Sequence, residues 1–542
     1  MFETIIRNGI LVDGAGNPWI KADLGIAKGK IARIGRIGKE RADESIDAKG
    51  LVVAPGFIDI HDHSDYTILA APNAESKLTQ GVTTTVIGNC GSSVAPLLGP
   101  ALAAHKATLK LLELNVNWST LSEYGRVLEK KRPAINVASL VGHGTLRTCI
   151  MGFDNRSPSE DELTKMKKLL GKTMKEGALG LSSGLEFNPG QNAKTDELIE
   201  LCKTLIEFNG IYVTHMRNRD TRVFESTKEA IEIGERSGVP VHLSHFVVRF
   251  PAEGKSGELL RMVDDARTRG VDATCDVISP STILGGVDTG YHWGYTGLAA
   301  QVIPPWGFEG GLKKTLERLK DPATREKFKK EVEPEWKLVS AGRWDRVKLL
   351  NCEKNRELLS KTFEEIAKIK GVDPWEAAYD ILLAEGTTDT LRVVITGATT
   401  AEKDSIEVVK HPTASICSDR TTASLKGPTS KQGLDPNVFG AFPRFLKRHV
   451  REKRSLTLEE TIKKMTGLSA QRLRFKDRGL LREGMWADVT VFDLSEITDR
   501  ATFEKPYEYS AGVEYVFVNG QKALEHGQPT GLRSGKFIKR SP

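Results

Sequence analysis

Eight short, mostly apolar runs recur through the middle of the chain with amphipathic stretches between them, and this alternation constrains the fold most. The runs are VVAPGFIDI, TTTVIGN, INVASLVG, ALGLSSG, IYVTHM, VPVHLSH, VDATCDV and TASICSD. Each has the length of a strand. The stretch after Ser159 shows what separates them. Ser159 and Glu162 form a capping-box pattern, and Leu163, Met166, Leu170 and Met174 repeat on one helical face. Strands alternating with helices imply a parallel α/β fold, and eight strands close a (β/α)8 TIM barrel.

The two ends have a different texture. Ile5 and Ile6 precede Asn8-Gly9 and Ile10 to Val12 follow, a hairpin signal. Near the C-terminus ADVTVFDL and VEYVFVNG are strand-like, with a second turn signal at Asn519-Gly520. Two all-β ends around an alternating middle predict a β-sandwich domain from residues 1–54 and 478–542, with the barrel at 55–477. The seventh and eighth runs, ending at Val277 and starting at Thr413, are too far apart for one crossover helix. An inserted subdomain is expected at 285–344, including LKKTLERLKDPATREKFKKEVEPEWK as solvated helix.

Composition removes several classes of function. With 39% hydrophobic residues over 542 positions, the chain can bury a large core and is not disordered. The net charge of +7 is spread thinly, without a basic block or basic-aromatic stripe, so no nucleic-acid partner is expected. No apolar run approaches the roughly 20 residues of a membrane span. The N-terminus enters a strand pattern without a basic segment and long apolar stretch, so no secretory signal and no membrane partner are expected. Cys90, Cys149, Cys202, Cys275, Cys352 and Cys417 are scattered, as reduced thiols of a cytoplasmic protein would be. A homo-oligomer is compatible with this composition.

The chemistry-bearing residues cluster at strand ends. PGFIDIHDH carries His61 and His63 two apart, so both imidazoles can project to one face and bind a metal. IGNCGSS places Cys90 between Gly88 and Gly91, which permit a tight turn that could carry a thiolate to the site. His215 and His245 end the fifth and sixth runs, where barrel active sites gather. His242 is three residues before His245 and is expected to face the helix layer, which favours His245 as the ligand. Asp419 ends the eighth run and could take a proton from a metal-bound water and return it to a leaving nitrogen. His143 ends the third run, where it could polarise a substrate carbonyl or support a ligand. The fourth run lacks a lysine, so no carbamylated bridge is available and Cys90 is the natural bridging ligand. Glu186, Arg217 and Arg249 are further candidates for substrate contact at the rim.

The sequence resembles the amidohydrolase superfamily and, within it, the D-aminoacylase (N-acyl-D-amino-acid deacylase) family. PGFIDIHDHSD, QGVTTTVIGNCG, GALGLSSGLEFNPG, YVTHMRN, VPVHLSHF, FGAFPRFL, KMTGLSAQRL, DRGLLREGMWAD and VFVNG carry the resemblance, in family order along nearly the whole chain. It implies zinc held tightly by Cys90, His215 and His245, with His61 and His63 forming a second, weaker site. It also implies Asp419 as catalytic acid and base, and hydrolysis of a linear N-acyl amide, a small-molecule substrate, by metal-activated water. Some positions depart from the family pattern. A lysine usual after the strand-six histidine is missing from HFVVR, and DVISPST replaces a Tyr-Pro-Tyr stretch. Asp435 stands where a histidine is usual, Arg420 replaces a glycine, and Arg219 ends HMRNR where a glutamate is usual. The metal positions are kept and the substrate-facing ones changed. Activity on simple N-acetyl-D-amino acids is therefore expected to be poor. An amide, carbamate or urea-like compound of another shape, or the chemistry of a cyclic amidohydrolase or deaminase, is the alternative.

Overall fold

The computed structural model describes residues 1–279, 283–284, 287–288, 290–387, 391, 393–430 and 435–540. All eight runs form barrel strands: β1 Phe57–Asp59, β2 Val82–Ile87, β3 Asn136–Ser139 continued by Val141–Gly142, β4 Gly180–Gly184, β5 Ile211–His215, β6 Val241–Leu243, β7 Ala273–Ile278 and β8 Ala414–Cys417. Neighbours pair in parallel from β1 to β3 and from the second half of β3 through to β8. The ring closes where Asp419 N donates to His61 O at 2.9 Å and Ser418 N to Asp59 Oδ1 at 2.9 Å.

Alternation along these strands separates two apolar layers. Ile60, Val86, Leu140, Val213, Ile278 and Cys417 fill the barrel. Val141, Leu181, Tyr212, Leu243, Val277 and Ile416 pack outward with Met166, Leu170 and Leu198 of the surrounding helices. Fully burying one such side chain contributes about 1.5–3 kcal/mol. The helix expected after Ser159 spans Glu160–Lys175, with both capping-box bonds formed and Met166, Leu170 and Met174 buried.

The first run divides between two sheets. Val52–Pro55 belongs to the sheet of the termini and Phe57–Asp59 to the barrel. Gly56 joins them, and a Cβ there would lie 2.2 Å from Thr83 Oγ1. The terminal sheet has nine strands among the described residues, and both ends of the chain meet where Val52–Pro55 pairs with Val489–Phe492. Ile31 N donates to Met485 O, so the sheet wraps back on a core of Ile6, Leu24, Ile26, Val489 and Phe517. Asn519-Gly520 forms the expected hairpin turn, but Asn8-Gly9 does not. Phe2–Leu11 runs on as one strand with a bulge there, and the chain takes φ 60° at Asn8, whose N–H bonds to Asp23 Oδ1 at 2.9 Å.

The insertion between β7 and β8 is larger than residues 285–344. Its antiparallel sheet, Tyr291–Gly297, Val394–Ala401 and Val347–Asn351, draws its central strand from beyond that range. Phe328, Trp344, Phe363, Tyr379 and Ile395 make one core, which cannot be divided at Trp344. The Lys/Glu-rich segment forms helices Leu312–Leu319 and Pro322–Glu331, which bury Leu319 and Phe328 below a charged face. Gly285, the expected start of the insertion, and Pro280 to Thr282 of the DVISPST segment lie outside the described residues. No helix among the described residues is long and apolar enough to cross a membrane.

A buried cation holds the barrel seam. Lys77 Nζ lies 2.8 Å from Asp59 Oδ2, 2.5 Å from Asp62 Oδ2 and 3.0 Å from Ser418 Oγ, with all of these side chains buried. Lys77→Met would leave two buried carboxylates without their cation. Breaking a buried pair this way costs about 3–5 kcal/mol, so urea unfolding should show a loss of that order. An unchanged unfolding midpoint would mean that the seam does not depend on this ion cluster.

Candidate active site

The strand ends bring six of the proposed residues together at the barrel mouth. His61 Nε2 lies 3.3 Å from Cys90 Sγ, which lies 3.5 Å from both His215 Nδ1 and His245 Nε2. His63 Nε2 is 3.0 Å and His61 Nε2 3.4 Å from Asp419 Oδ1. Two donor groups result, His61-His63-Cys90-Asp419 and Cys90-His215-His245, each with its ligand atoms within 4.8 Å of one another. Cys90 belongs to both, the bridging position that a lysine of β4 would otherwise fill.

Three of these residues leave their strands in the left-handed region: Cys90 at φ 51°, His245 at 35° and Asp419 at 53°. Non-glycine residues rarely adopt it, and such strain gathers at functional sites. Around Cys90 the loop is packed backbone to backbone. A Cβ on Gly88 would lie 2.3 Å from Leu140 O, and one on Gly91 2.7 Å from Gly184 N.

The same feature overturns the expected direction of His242. Its register partners Val213 and Thr274 face the barrel, and so does His242, 3.0 Å from Asp276 Oδ2. The positive φ at His245 reverses the strand alternation, so both histidines point inward. Asp276 is the residue that motif reasoning missed. Fully buried on β7, it meets His61 Nδ1 at 3.4 Å, His242 Nε2 at 3.0 Å and His245 N at 2.5 Å. Its signal was period-two alternation, which puts Thr274 and Asp276 on the inward face.

The proposed substrate residues divide. Arg249 lines a cavity beside Asp419, 3.1 Å from Glu186 Oε1. Glu186 is not a free rim group: Oε2 lies 2.7 Å from His215 Nε2 and 3.2 Å from Arg219 Nη2. Arg217 turns away, bonding Glu229 Oε2 at 2.9 Å and Gln191 O at 2.8 Å. His143 is excluded from substrate contact. It is wholly buried and lies 2.9 Å from Glu197 Oε1, which also accepts from Arg147. Leu140 takes the inward face of β3, and three residues later His143 falls on the helix side.

Burial raises the Cys90 thiol, but the charge of His61 and hydrogen bonds with His215 and His245 outweigh it and hold the thiol well below its ordinary range. Burial also raises Asp419, and His63, His61, His245 and Arg420 overcome it, leaving a carboxylate well below the usual range. Burial, then the charge of Arg219, holds His245 down at about 3, a neutral ring. Burial lowers His61 and His63 too, but the charges of Cys90 and Asp276 raise His61 above the ordinary imidazole range and hydrogen bonds with Asp419 and Cys90 raise His63 to about 10, so a metal bound beside the Cys90 thiolate would displace protons from these two rings.

Two cavities flank the cluster. One, of about 440 Å³, is bordered by His63, Asp419, Arg219, Arg249 and Arg420, and the insertion adds Glu335 and Trp336. The other, of about 240 Å³, lies beside Cys90 and is walled by Ala101, Ala104, Thr148, Phe153 and Phe187. The Phe187 ring stands edge-on to His215 with centroids 4.5 Å apart.

Residues 44–283 and 435–523 match the model of the Amidohydrolase family. An N-acyl-D-glutamate deacylase of Alcaligenes xylosoxydans xylosoxydans is 33% identical over 99% of this chain and 96% of its own length. A D-aminoacylase of the same organism is 30% identical over 100% of this chain and 98% of its own. Among solved structures, the N-acyl-D-glutamate deacylase of Bordetella bronchiseptica, complexed with zinc and a phosphonate that mimics the tetrahedral intermediate, is similar with TM-score 0.78 and 30% identity, both chains covered to 100%.

Groups that hold the remote nitrogen of a ligating histidine tune metal affinity by about 10–100-fold. Asp276→Asn should therefore weaken the binding of a divalent transition metal by about that factor. Competition against a chromophoric chelator, with circular dichroism to verify the fold, checks this. Unchanged affinity would make Asp276 a purely structural group.

Proposed function

The chain belongs to the amidohydrolase family, and from that premise we propose that it is a zinc-dependent hydrolase of a linear N-acyl amide bond. The observation that carries the reading is Cys90, a thiolate shared by two convergent donor groups, with Asp419 at the edge that faces the larger cavity. The donor chemistry fits zinc, which takes thiolate, imidazole and carboxylate ligands. The remote nitrogens of His61 and His215 face Asp276 and Glu186, as those of ligating imidazoles usually face a carboxylate. Zinc held there would supply Lewis-acid polarisation of the acyl carbonyl and a water activated near neutral pH.

The chain's own residues supply proton transfer and orientation. Asp419 is anionic, with Oδ1 held by His63 and Oδ2 3.3 Å from Arg420 Nη1. It can accept the proton of the attacking water and give it to the departing nitrogen, which is a poor leaving group until protonated. The leaving amine therefore belongs on the Asp419 side, in the cavity bordered by Arg219, Arg249 and Arg420. The acyl substituent then points toward the apolar cavity beside Phe187. Arg249 stands two residues beyond Val247 in HFVVR, and both border the amine cavity. An amine half with a carboxylate, as in the N-acyl-D-glutamate and D-amino-acid substrates named for the relatives, suits that wall.

Two outcomes are expected from a panel of N-acyl amino acids of both hands. Stripping metal with a strong chelator should abolish hydrolysis, and zinc should restore it. At saturating zinc, Asp419→Asn should lower kcat by about 10²–10⁴-fold, the usual contribution of general acid-base catalysis, while the fold persists. A rate within about threefold of the parent would remove Asp419 from proton transfer, since that catalysis is worth far more.

A further inference from the structure

The two cavities beside the donor cluster differ in kind. The one beside Asp419 is bordered by Arg219, Arg249 and Arg420. Among the described residues, none that lines the cavity beside Cys90 is an aspartate, glutamate, lysine or arginine. Gly144 and Gly184 offer it only backbone, and Ala101, Ala104, Phe153 and Phe187 offer it carbon. The threonine hydroxyls on its wall are spent within the protein. Thr148 Oγ1 donates to Gly144 O at 2.8 Å, and Thr145 Oγ1 accepts from Ser93 N at 2.9 Å. His105 also lines it, and burial pushes that imidazole below its ordinary value, so the ring is neutral at pH 7. A ligand group that enters leaves water for apolar walls, which favours an alkyl chain.

The apolar surface continues outward. The Phe187 ring stands edge-on to His215 with centroids 4.5 Å apart, yet the residue is 43% exposed. Phe153 is 52% exposed, and Leu102, on the short helix Pro100–Ala104 that supplies Ala101 and Ala104, is 41% exposed. Large apolar side chains left in water beside a pocket mark a binding groove. The path therefore runs from His215 to solvent over carbon. The cavity measures about 240 Å³, and at about 30 Å³ for each water-sized group it has room for roughly eight. The methyl of an acetyl group would leave most of that space unfilled and its walls without dispersion contacts.

We propose that this cavity is a subsite for the linear acyl chain of a medium-chain fatty acid, and that the substrates of this chain are N-fatty-acyl amino acids. The inference rests on the amide-hydrolase reading above. Hydrolysis breaks the acyl C–N bond, the oxygen of water joins the acyl carbon, and its two protons end on the carboxylic acid and the amine. The fatty acid leaves along the apolar edge, and the amine half leaves from the arginine side.

The test is kcat/KM for one amino acid carrying acyl groups from acetyl to dodecanoyl, with zinc present and each substrate below its micelle concentration. A fully buried methylene is worth about fourfold. Octanoyl should exceed acetyl by at least about 30-fold, since the open cavity buries only part of the chain. Octanoate should inhibit at a concentration at least about tenfold below that of acetate. Ala104→Trp, which fills the cavity, should lower the octanoyl-to-acetyl ratio at least about tenfold. Phe153→Ser, at an exposed position, should lower the same ratio and serves if the tryptophan variant does not fold. Equal rates for acetyl and octanoyl, or a preference for a branched or aromatic acyl group, would overturn the proposal and leave amide hydrolysis standing. A protein that hydrolysed no N-acyl amino acid of any chain length would overturn both.

Discussion

Four anionic groups converge at the barrel mouth, Cys90, Glu186, Asp276 and Asp419, and the arrangement around them follows from the need to compensate buried charge. An unpaired buried anion is strongly unfavourable. Asp276 meets His61 and His242, Glu186 meets His215, Arg219 and Arg249, and Asp419 meets His63 and Arg420. Cys90 meets His61, His215 and His245 and belongs to both donor groups, which makes the thiolate the natural focus for a cation.

Much of this was legible in the sequence because barrel chemistry sits at the C-terminal ends of strands. His61, His63, Cys90, His215, His245 and Asp419 could each be found by asking where an apolar run stops. What could not be found that way depends on parity and reach. His242 was assigned to the helix layer by counting along a regular strand, and one left-handed residue at His245 invalidates the count. His143 follows a strand that has already spent its inward positions on Leu140. Arg217 and Arg219 are two residues apart in one loop, yet Glu229 captures the first and Glu186 the second. Such choices depend on carboxylates distant in sequence. The extent of the insertion was hidden similarly, since its central strand, Val394–Ala401, pairs with strands on both sides of a long helical excursion.

The insertion also contributes to the cavity beside Asp419, where it meets the charge pattern of the mouth. Glu335 Oε1 lies 3.9 Å from Arg249 Nη1, so Arg249 stands between a barrel carboxylate, Glu186, and an insertion carboxylate. A carboxylate-bearing substrate would compete with both for that guanidinium, and bidentate geometry would decide the contest. Such a wall would discriminate by fit as well as by charge.

The strained backbone at the site depends on barrel closure. Each left-handed residue among Cys90, His245 and Asp419 costs roughly 1–3 kcal/mol and persists only where its surroundings over-determine it. His245 is fixed by its N–H on Asp276 Oδ1, and the Cys90 loop by Thr145 N on Gly91 O and Gly91 N on Ser182 Oγ. Asp419 is fixed by its N–H on His61 O, the backbone bond across the seam between the last strand and the first. The conformation that aims the carboxylate at His63 is thus the one that closes the ring. Lys77 secures that seam from below through Asp59, Asp62 and Ser418. A barrel opened at this join would lose the Asp419 alignment while each neighbouring strand pair remained intact, so proton transfer should be more sensitive to the seam than the fold as a whole.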